Sequence, residues 1–184
     1  LTRSYLACTT FVDHQVGRIM TKLKETGLDK NTIIILWSDH GWHLGDHGIW
    51  GKYTLHEISL RSPLIIRMPD QVHPGESNRG LVETVDVMPT LAGLCGLPCP
   101  PQCEGTSFAQ ALNDPDITLR ECALSYRQKG DQVGWTIRTA QWRYTRWTDK
   151  RNGSLLFEEL YDHAADQHET RNVAEDHPET ITEL

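Results

Sequence analysis

The stretch Thr32–Lys52, TIIILWSDHGWHLGDHGIWGK, constrains the fold more than any other part of the chain. Ile33–Trp37 form an unbroken apolar run, mostly β-branched, as in a strand covered on both faces. The run ends abruptly in Trp37–Lys52, which holds three histidines, two aspartates and four glycines. Open α/β sheets build their ligand sites in such loops, just beyond the carboxyl ends of the strands.

The flanking sequence fits that architecture. Leu6, Phe11, Val12, Val16, Ile19, Met20 and Leu23 recur with a helical period, and Gly27 is placed to stop the helix. PLIIRMP, bounded by Pro63 and Pro69, predicts a second buried strand. VDVMPTLAGLCG predicts a short helix, with Pro89 near its start and Gly96 near its end. Leu97–Asp116 is rich in Pro, Cys, Gly and Asn and reads as a connection. Beyond it the pattern changes: GWTIRTAQWRYTRWTD alternates around a turn at Thr139–Gln141, a hairpin signal, and LLFEELYD supplies a further strand. The tail ends in a short helix. Residues 1–115 thus form an α/β portion with a largely parallel sheet, and residues 116–184 a small antiparallel sheet with a helix.

The formal charge of −7, with no Lys/Arg cluster to offset it, argues against a nucleic-acid partner. No apolar run approaches the ~20 residues that span a bilayer, so no membrane anchor is expected within these residues. The chain opens LTRSYLACTTF without a methionine and reads as a piece of a longer protein, which leaves a targeting segment open. Of the five cysteines, three recur at intervals of four in CGLPCPPQC. A zinc site there would need a fourth ligand from elsewhere, and the two prolines do not suit a zinc knuckle. A surface loop able to carry a disulfide is the expectation, with at least one thiol left over.

In the loop, Asp39 and His40 follow the strand directly, and a carboxylate beside an imidazole can hold one cation. Gly41, Gly45 and Gly48 let the backbone curl around a ligand, and Lys52 brings a fixed positive charge to the same mouth. A turn and a helix cap would explain Asp39 and His40 taken alone, and packing would explain Trp42 and Trp50. The ligand types, the glycines and the lysine together are harder to account for that way.

SDHGWHLGDHGIWGK, followed by E-x-x-x-R-x-P-L-I-I-R, resembles the carboxyl-terminal half of the catalytic domain of sulfatases in the alkaline-phosphatase superfamily. The nearest likeness is to the iduronate-2-sulfatase group. FVDHQVGRIMTKLKETGLDKNTIIILWSDHG, VDVMPTLAGLCGLP and ELYDHAADQHETRNVAED extend it over nearly the whole chain. The resemblance implies an alkaline-phosphatase-like sandwich and hydrolysis of a sulfate ester, with a sulfated uronate or glycosaminoglycan sugar as partner. It makes Asp39 and His40 the second pair of metal ligands and Lys52 the residue that contacts the sulfate, and it sets Trp42 and His47 toward the substrate. The implied metal is Ca²⁺, although His40 also suits Mn²⁺ or another divalent ion. The implied nucleophile is a formylglycine from a C/S-x-P/A-x-R motif, a context that none of the five cysteines has. The nucleophile and the first metal-binding aspartates are therefore expected from an amino-terminal part of the same enzyme, which would be secreted, periplasmic or lysosomal. A phosphate or phosphonate monoester hydrolase and a non-catalytic acidic-sugar-binding remnant are the alternatives.

Overall fold

A computed structural model of the chain describes residues 1–114 and 116–184. The opening helix, α1 (Thr2–Thr26), has the predicted extent and ends at Gly27, whose φ of 71° lets its N–H reach back to Lys24 O. Its apolar stripe is only partly covered. Val16, Met20 and Leu23 are half-buried, whereas Leu6, Phe11, Val12 and Ile19 are exposed.

The apolar run forms β1 (Ile34–Trp37), and the loop beyond it folds into a two-residue ladder of β2 (His43–Leu44) and β3 (Trp50–Gly51). A single helical turn, α2 (Glu57–Leu60), follows and leads into β4 (Leu64–Arg67). The largely parallel sheet is not seen in these two strands. β1 and β4 pair antiparallel, with Trp37 opposite Leu64 and Ile34 opposite Arg67. A parallel partner requires a crossover back to the starting edge, and the four-residue α2 is too short to provide one. Nor is β1 covered on both faces within this chain, since Leu36 and Trp37 are exposed.

The predicted short helix is α3 (Val87–Leu94), with Pro89 in its first turn and a 3₁₀ turn, Thr84–Asp86, before it. All five cysteines are free thiols, so the Pro-rich loop does not carry the disulfide its sequence would allow. A tight turn, in which Cys103 N–H donates to Pro100 O, brings the Cys99 and Cys103 thiols within hydrogen-bonding reach of each other.

The remaining strands form one antiparallel sheet in the order β5 (Cys122–Lys129), β6 (Gln132–Thr139), β7 (Trp142–Asp149) and β8 (Leu155–Asp162). The hairpin and the third strand are as predicted; β5 is an addition. The tail crosses β8, where Val173 N–H donates to Leu160 O, and ends in α4 (Pro178–Glu183). The expected boundary between the two portions falls at Pro115, outside the described residues.

Three cross-strand rows make up the inner face of the sheet. They are Ala123–Arg138–Arg143–Tyr161, Ser125–Thr136–Thr145–Glu159 and Arg127–Gly134–Trp147–Phe157. α2 docks on the first row through charge. Arg143 donates from Nε to Glu169 Oε1 at 2.7 Å and from Nη2 to Glu57 Oε2, which also takes Arg138 Nε at 3.2 Å. Glu169 is 1% exposed and accepts further bonds from His163 Nε2 (2.8 Å), His56 Nδ1 (3.2 Å) and the Glu57 N–H (2.8 Å). It adopts a left-handed φ of 55°, a conformation a glutamate holds only when its surroundings dictate it. A second cluster secures the sheet edge. Arg120 bridges Asp86 (2.7 Å) and Glu83 (2.5 Å), and the Leu124 N–H of β5 donates to Glu83 at 2.6 Å. Among the described residues no buried side-chain polar atom lacks a partner.

Burial alone would raise the Glu169 pKa, but the bonds from His163 and His56, the Arg143 charge and the Glu57 N–H outweigh it and hold the carboxyl far below its ordinary 4.5. A depressed folded pKa gives stability that is full above the unfolded value and is lost as pH falls through the folded one. Denaturant titrations should therefore show stability falling below about pH 4.5, with a flatter profile for Glu169→Gln. At neutral pH, Glu169→Ala should cost about 3–5 kcal/mol, because it removes one of the two carboxylates that match a buried guanidinium and leaves His163, His56 and the Glu57 N–H without their acceptor. A loss under about 1 kcal/mol would show that the network is not what docks α2.

Candidate active site

The loop after β1 is stapled where it begins. Ser38 N–H donates to Pro63 O at 3.2 Å, and the Ser38 hydroxyl donates to His40 O at 2.9 Å. Gly41 N–H then donates to Ser59 O of α2 at 2.8 Å. A Cβ at Gly41 would lie 1.9 Å from Ile58 O, so only glycine permits this approach. Asp39 and His40 are thus held on a short arch between the start of β4 and α2.

Three of the predicted residues converge on this arch. His40 Nδ1–H donates to Gly41 O at 2.7 Å, which fixes the tautomer and leaves a lone pair on Nε2. That lone pair accepts from Lys52 Nζ at 2.5 Å, and Asp39 Oδ2 lies 3.2 Å from the same nitrogen. An imidazole lone pair and a carboxylate oxygen this close suit a cation bound by both; Lys52 bonds the imidazole, and among the described residues no ion pair joins it to Asp39. The donor set, one oxygen and one imidazole nitrogen at adjoining positions, fits two ligands of a single divalent ion. The Asp39 side chain is 76% exposed and that of His40 29%, so the pair is open to further ligands from one side.

Trp42 and His47 lie apart from each other. Trp42 is exposed at the rim, its ring 6.1 Å from that of His40 and stacked at 6.3 Å on Tyr5 of α1. His47, at a φ of 55°, stacks at 4.1 Å on His56 and meets His43 edge-on at 5.7 Å. Its ring contacts run toward the C-terminal sheet and not toward Asp39, His40 or Lys52.

Local pattern does not reveal what supports the arch. His43 is fully buried; its Nδ1–H donates to Asp46 O, and its Nε2 lies 2.8 Å from the Thr54 hydroxyl, which is 2.8 Å from that of Ser59. Burial, aided by nearby His56 and His47, lowers its pKa and keeps it neutral. His56 links the loop to Glu169 across 113 positions of sequence, a separation that no periodicity reveals. Glu57, by contrast, opens the E-x-x-x-R motif. Glu57, His163 and Glu169 are the one set of three ligand-type residues among those described whose donor atoms lie within 4.8 Å of one another. Arg143 bonds both carboxylates, so the charge a metal would supply there is already present.

The Sulfatase family model matches residues 1–97. Iduronate 2-sulfatase of Mus musculus is 31% identical, over 80% of this chain and 38% of that protein. One similar solved structure, of a protein in complex with its substrate D-glucosamine-2-N,6-O-disulfate, superposes with a TM-score of 0.84 at 28% identity, over 94% of this chain and 36% of that one. A phosphonate monoester hydrolase from Silicibacter pomeroyi gives 0.78 at 29% identity, over 94% and 37%. The chain therefore spans well under half the length of these relatives. The family match takes in α1, the Asp39–His40 arch, Lys52 and α3, and the structural likeness continues through the C-terminal sheet: the chain belongs to the sulfatase family and has its alkaline-phosphatase-like α/β fold.

Proposed function

We propose that the protein carrying this chain hydrolyses the sulfate ester of a uronate or other glycosaminoglycan-type sugar, and that this chain supplies half of its metal site and its sulfate-binding lysine. The approach of Asp39 Oδ2 (3.2 Å) and Lys52 Nζ (2.5 Å) to the free lone pair of His40 Nε2 carries this reading. Sulfate esters resist attack because their oxygens repel nucleophiles. A bound divalent ion, Ca²⁺ by family likeness or Mn²⁺ by the imidazole donor, would offset that charge as it shifts in the transition state. Asp39 and His40 would hold the ion, and the bond from His40 Nδ1–H to Gly41 O leaves Nε2 free to ligate. Lys52 would donate to a sulfate oxygen. Trp42 borders the sugar. His47 stacks on His56 and so supports the loop, and its place at the substrate rests on the family resemblance.

None of the five cysteines stands in a C-x-P-x-R context, so the formylglycine nucleophile and the remaining metal ligands would come from a part of the protein outside these residues. The site of action would be extracellular, periplasmic or lysosomal, where such polymers are degraded. The likeness to a phosphonate monoester hydrolase supports a second reading, in which the same three residues serve a phosphate or phosphonate monoester. Comparing kcat/KM for 4-nitrophenyl sulfate with that for 4-nitrophenyl phosphate and phenyl phosphonate decides between them. Turnover of none of the three would leave only a sugar-binding remnant.

Three outcomes are expected. In the complete protein, Asp39→Asn and His40→Ala each weaken Ca²⁺ and Mn²⁺ binding in calorimetric titrations, and unchanged affinity in both would make these residues structural. Lys52→Ala lowers kcat/KM on the preferred sulfate ester by a factor of about 10²–10³ with Tm nearly unchanged, and Lys52→Arg recovers little. A near-parent value for the alanine variant removes the lysine from the reaction. The 184 residues alone do not turn over 4-nitrophenyl sulfate, and turnover by them that Asp39→Ala abolishes would overturn the division of the site.

A further inference from the structure

The third row of the inner face, Arg127–Gly134–Trp147–Phe157, is not consumed by the α2 docking network. Together with Thr54, Leu55, His56, Thr145 and Glu159 it lines a cleft of about 160 Å³. Arg127 is half-buried, and among the described residues its side chain has neither an ion pair nor a hydrogen bond. Its charge contrasts with Arg138, Arg143 and Arg120, each of which is matched by a carboxylate. A guanidinium without a counter-charge is available to an anionic ligand, and its planar fork suits carboxylate and sulfate oxygens.

The rest of the cleft adds apolar surface and hydroxyl acceptors. Gly134 leaves a gap in the row: a Cβ there would lie 2.7 Å from Leu55 Cδ1 and 2.9 Å from the Trp147 ring, so a side chain would expel Leu55 from the wall. Beyond the gap Trp147 is buried and stacks at 5.6 Å on Phe157, which is 46% exposed and presents an aromatic surface to the cleft. Glu159 is fixed by Trp147 Nε1–H at 3.0 Å and the Tyr161 hydroxyl at 2.9 Å. Each of its oxygens keeps a lone pair to accept from a ligand hydroxyl, and no ion pair joins it to Arg127. One anion receptor, one aromatic wall and one fixed acceptor in a concave site are what an acidic pyranose ring requires. The cleft also adjoins the candidate active site along the chain: Thr54, on its wall, donates its N–H to Lys52 O at 2.9 Å.

We propose that this cleft binds a second sugar ring bearing a carboxylate or sulfate, next to the ring whose ester is cleaved, with Arg127 on its anionic group and Phe157 against its face. The proposal rests on the sulfatase reading for the first ring, and it makes the substrate an oligosaccharide or polymer rather than a lone monosaccharide.

The test uses the complete protein with Arg127→Gln and Phe157→Ala, and three probes: a heparin-derived tetrasaccharide, the uncharged maltotetraose, and 4-nitrophenyl sulfate, which carries no second sugar ring. Calorimetry should show the tetrasaccharide Kd rising about tenfold or more in Arg127→Gln and rising also in Phe157→Ala, with no maltotetraose binding to any form. Turnover of 4-nitrophenyl sulfate should stay at the parent level in both variants. Parent-like tetrasaccharide affinity in both variants overturns the proposal, as does a loss of aryl-sulfate turnover equal to the loss of affinity, which would mean general damage to the fold. A parent protein inactive on every sulfate ester refutes the sulfatase reading separately, since the binding comparison needs no turnover.

Discussion

The bond between Glu169 and Arg143 is the constraint on which the rest of this structure depends. A carboxylate withdrawn from water costs several kcal/mol unless its lone pairs are filled and its charge matched. Here one oxygen takes Arg143 and His163, and the other takes His56 and the Glu57 N–H. Those donors come from the sheet, from the segment after β8 and from the start of α2, so satisfying one side chain fixes three parts of the chain. The apolar core could not do this alone, since buried hydrophobic residues are few and several of the most deeply buried side chains are polar. Position is set by geometry-demanding bonds more than by non-directional burial.

From that bond a short line of contacts reaches the candidate active site. Glu169 holds the first residue of α2, α2 presents Ser59 O to the Gly41 N–H, and Gly41 follows the Asp39–His40 pair directly. Thr54 and His43 brace the far side of the loop through the Ser59 hydroxyl. The two proposed metal ligands therefore owe their placement to residues that never touch a metal or a substrate, as is usual where ligand orientation must be kept within narrow limits.

What could be read from the sequence follows from how local each determinant is. The opening helix with its Gly27 stop, α3, the β6–β7 hairpin and the strand–loop junction at Asp39–His40 all carry signals within a dozen residues, and all are found where expected. β5 was missed because CALSYRQK clusters its apolar residues at one end instead of alternating them. The direction of β4 relative to β1 depends on how the chain reverses through α2, which an apolar run does not encode. His47 shares a loop with the proposed ligands, and a place for it at the substrate is implied by resemblance alone. Its stacking on His56 depends on a left-handed backbone turn, which the one-letter code conceals. Glu169 stands in a polar tail segment without local pattern, and only its partners 26 and 113 positions away give it meaning.

Those separations also bear on the order of events when the chain is made. The arch that presents Asp39 and His40 leaves the ribosome long before Glu169 does, and the hydrogen bond from the Glu57 N–H to Glu169 closes a gap of 112 positions. Contacts of such range form late, because the entropy of closing the intervening loop must be met before they return any stability. The arch is thus translated before the residue that anchors α2, and α2 gains that anchor only once Glu169 has followed.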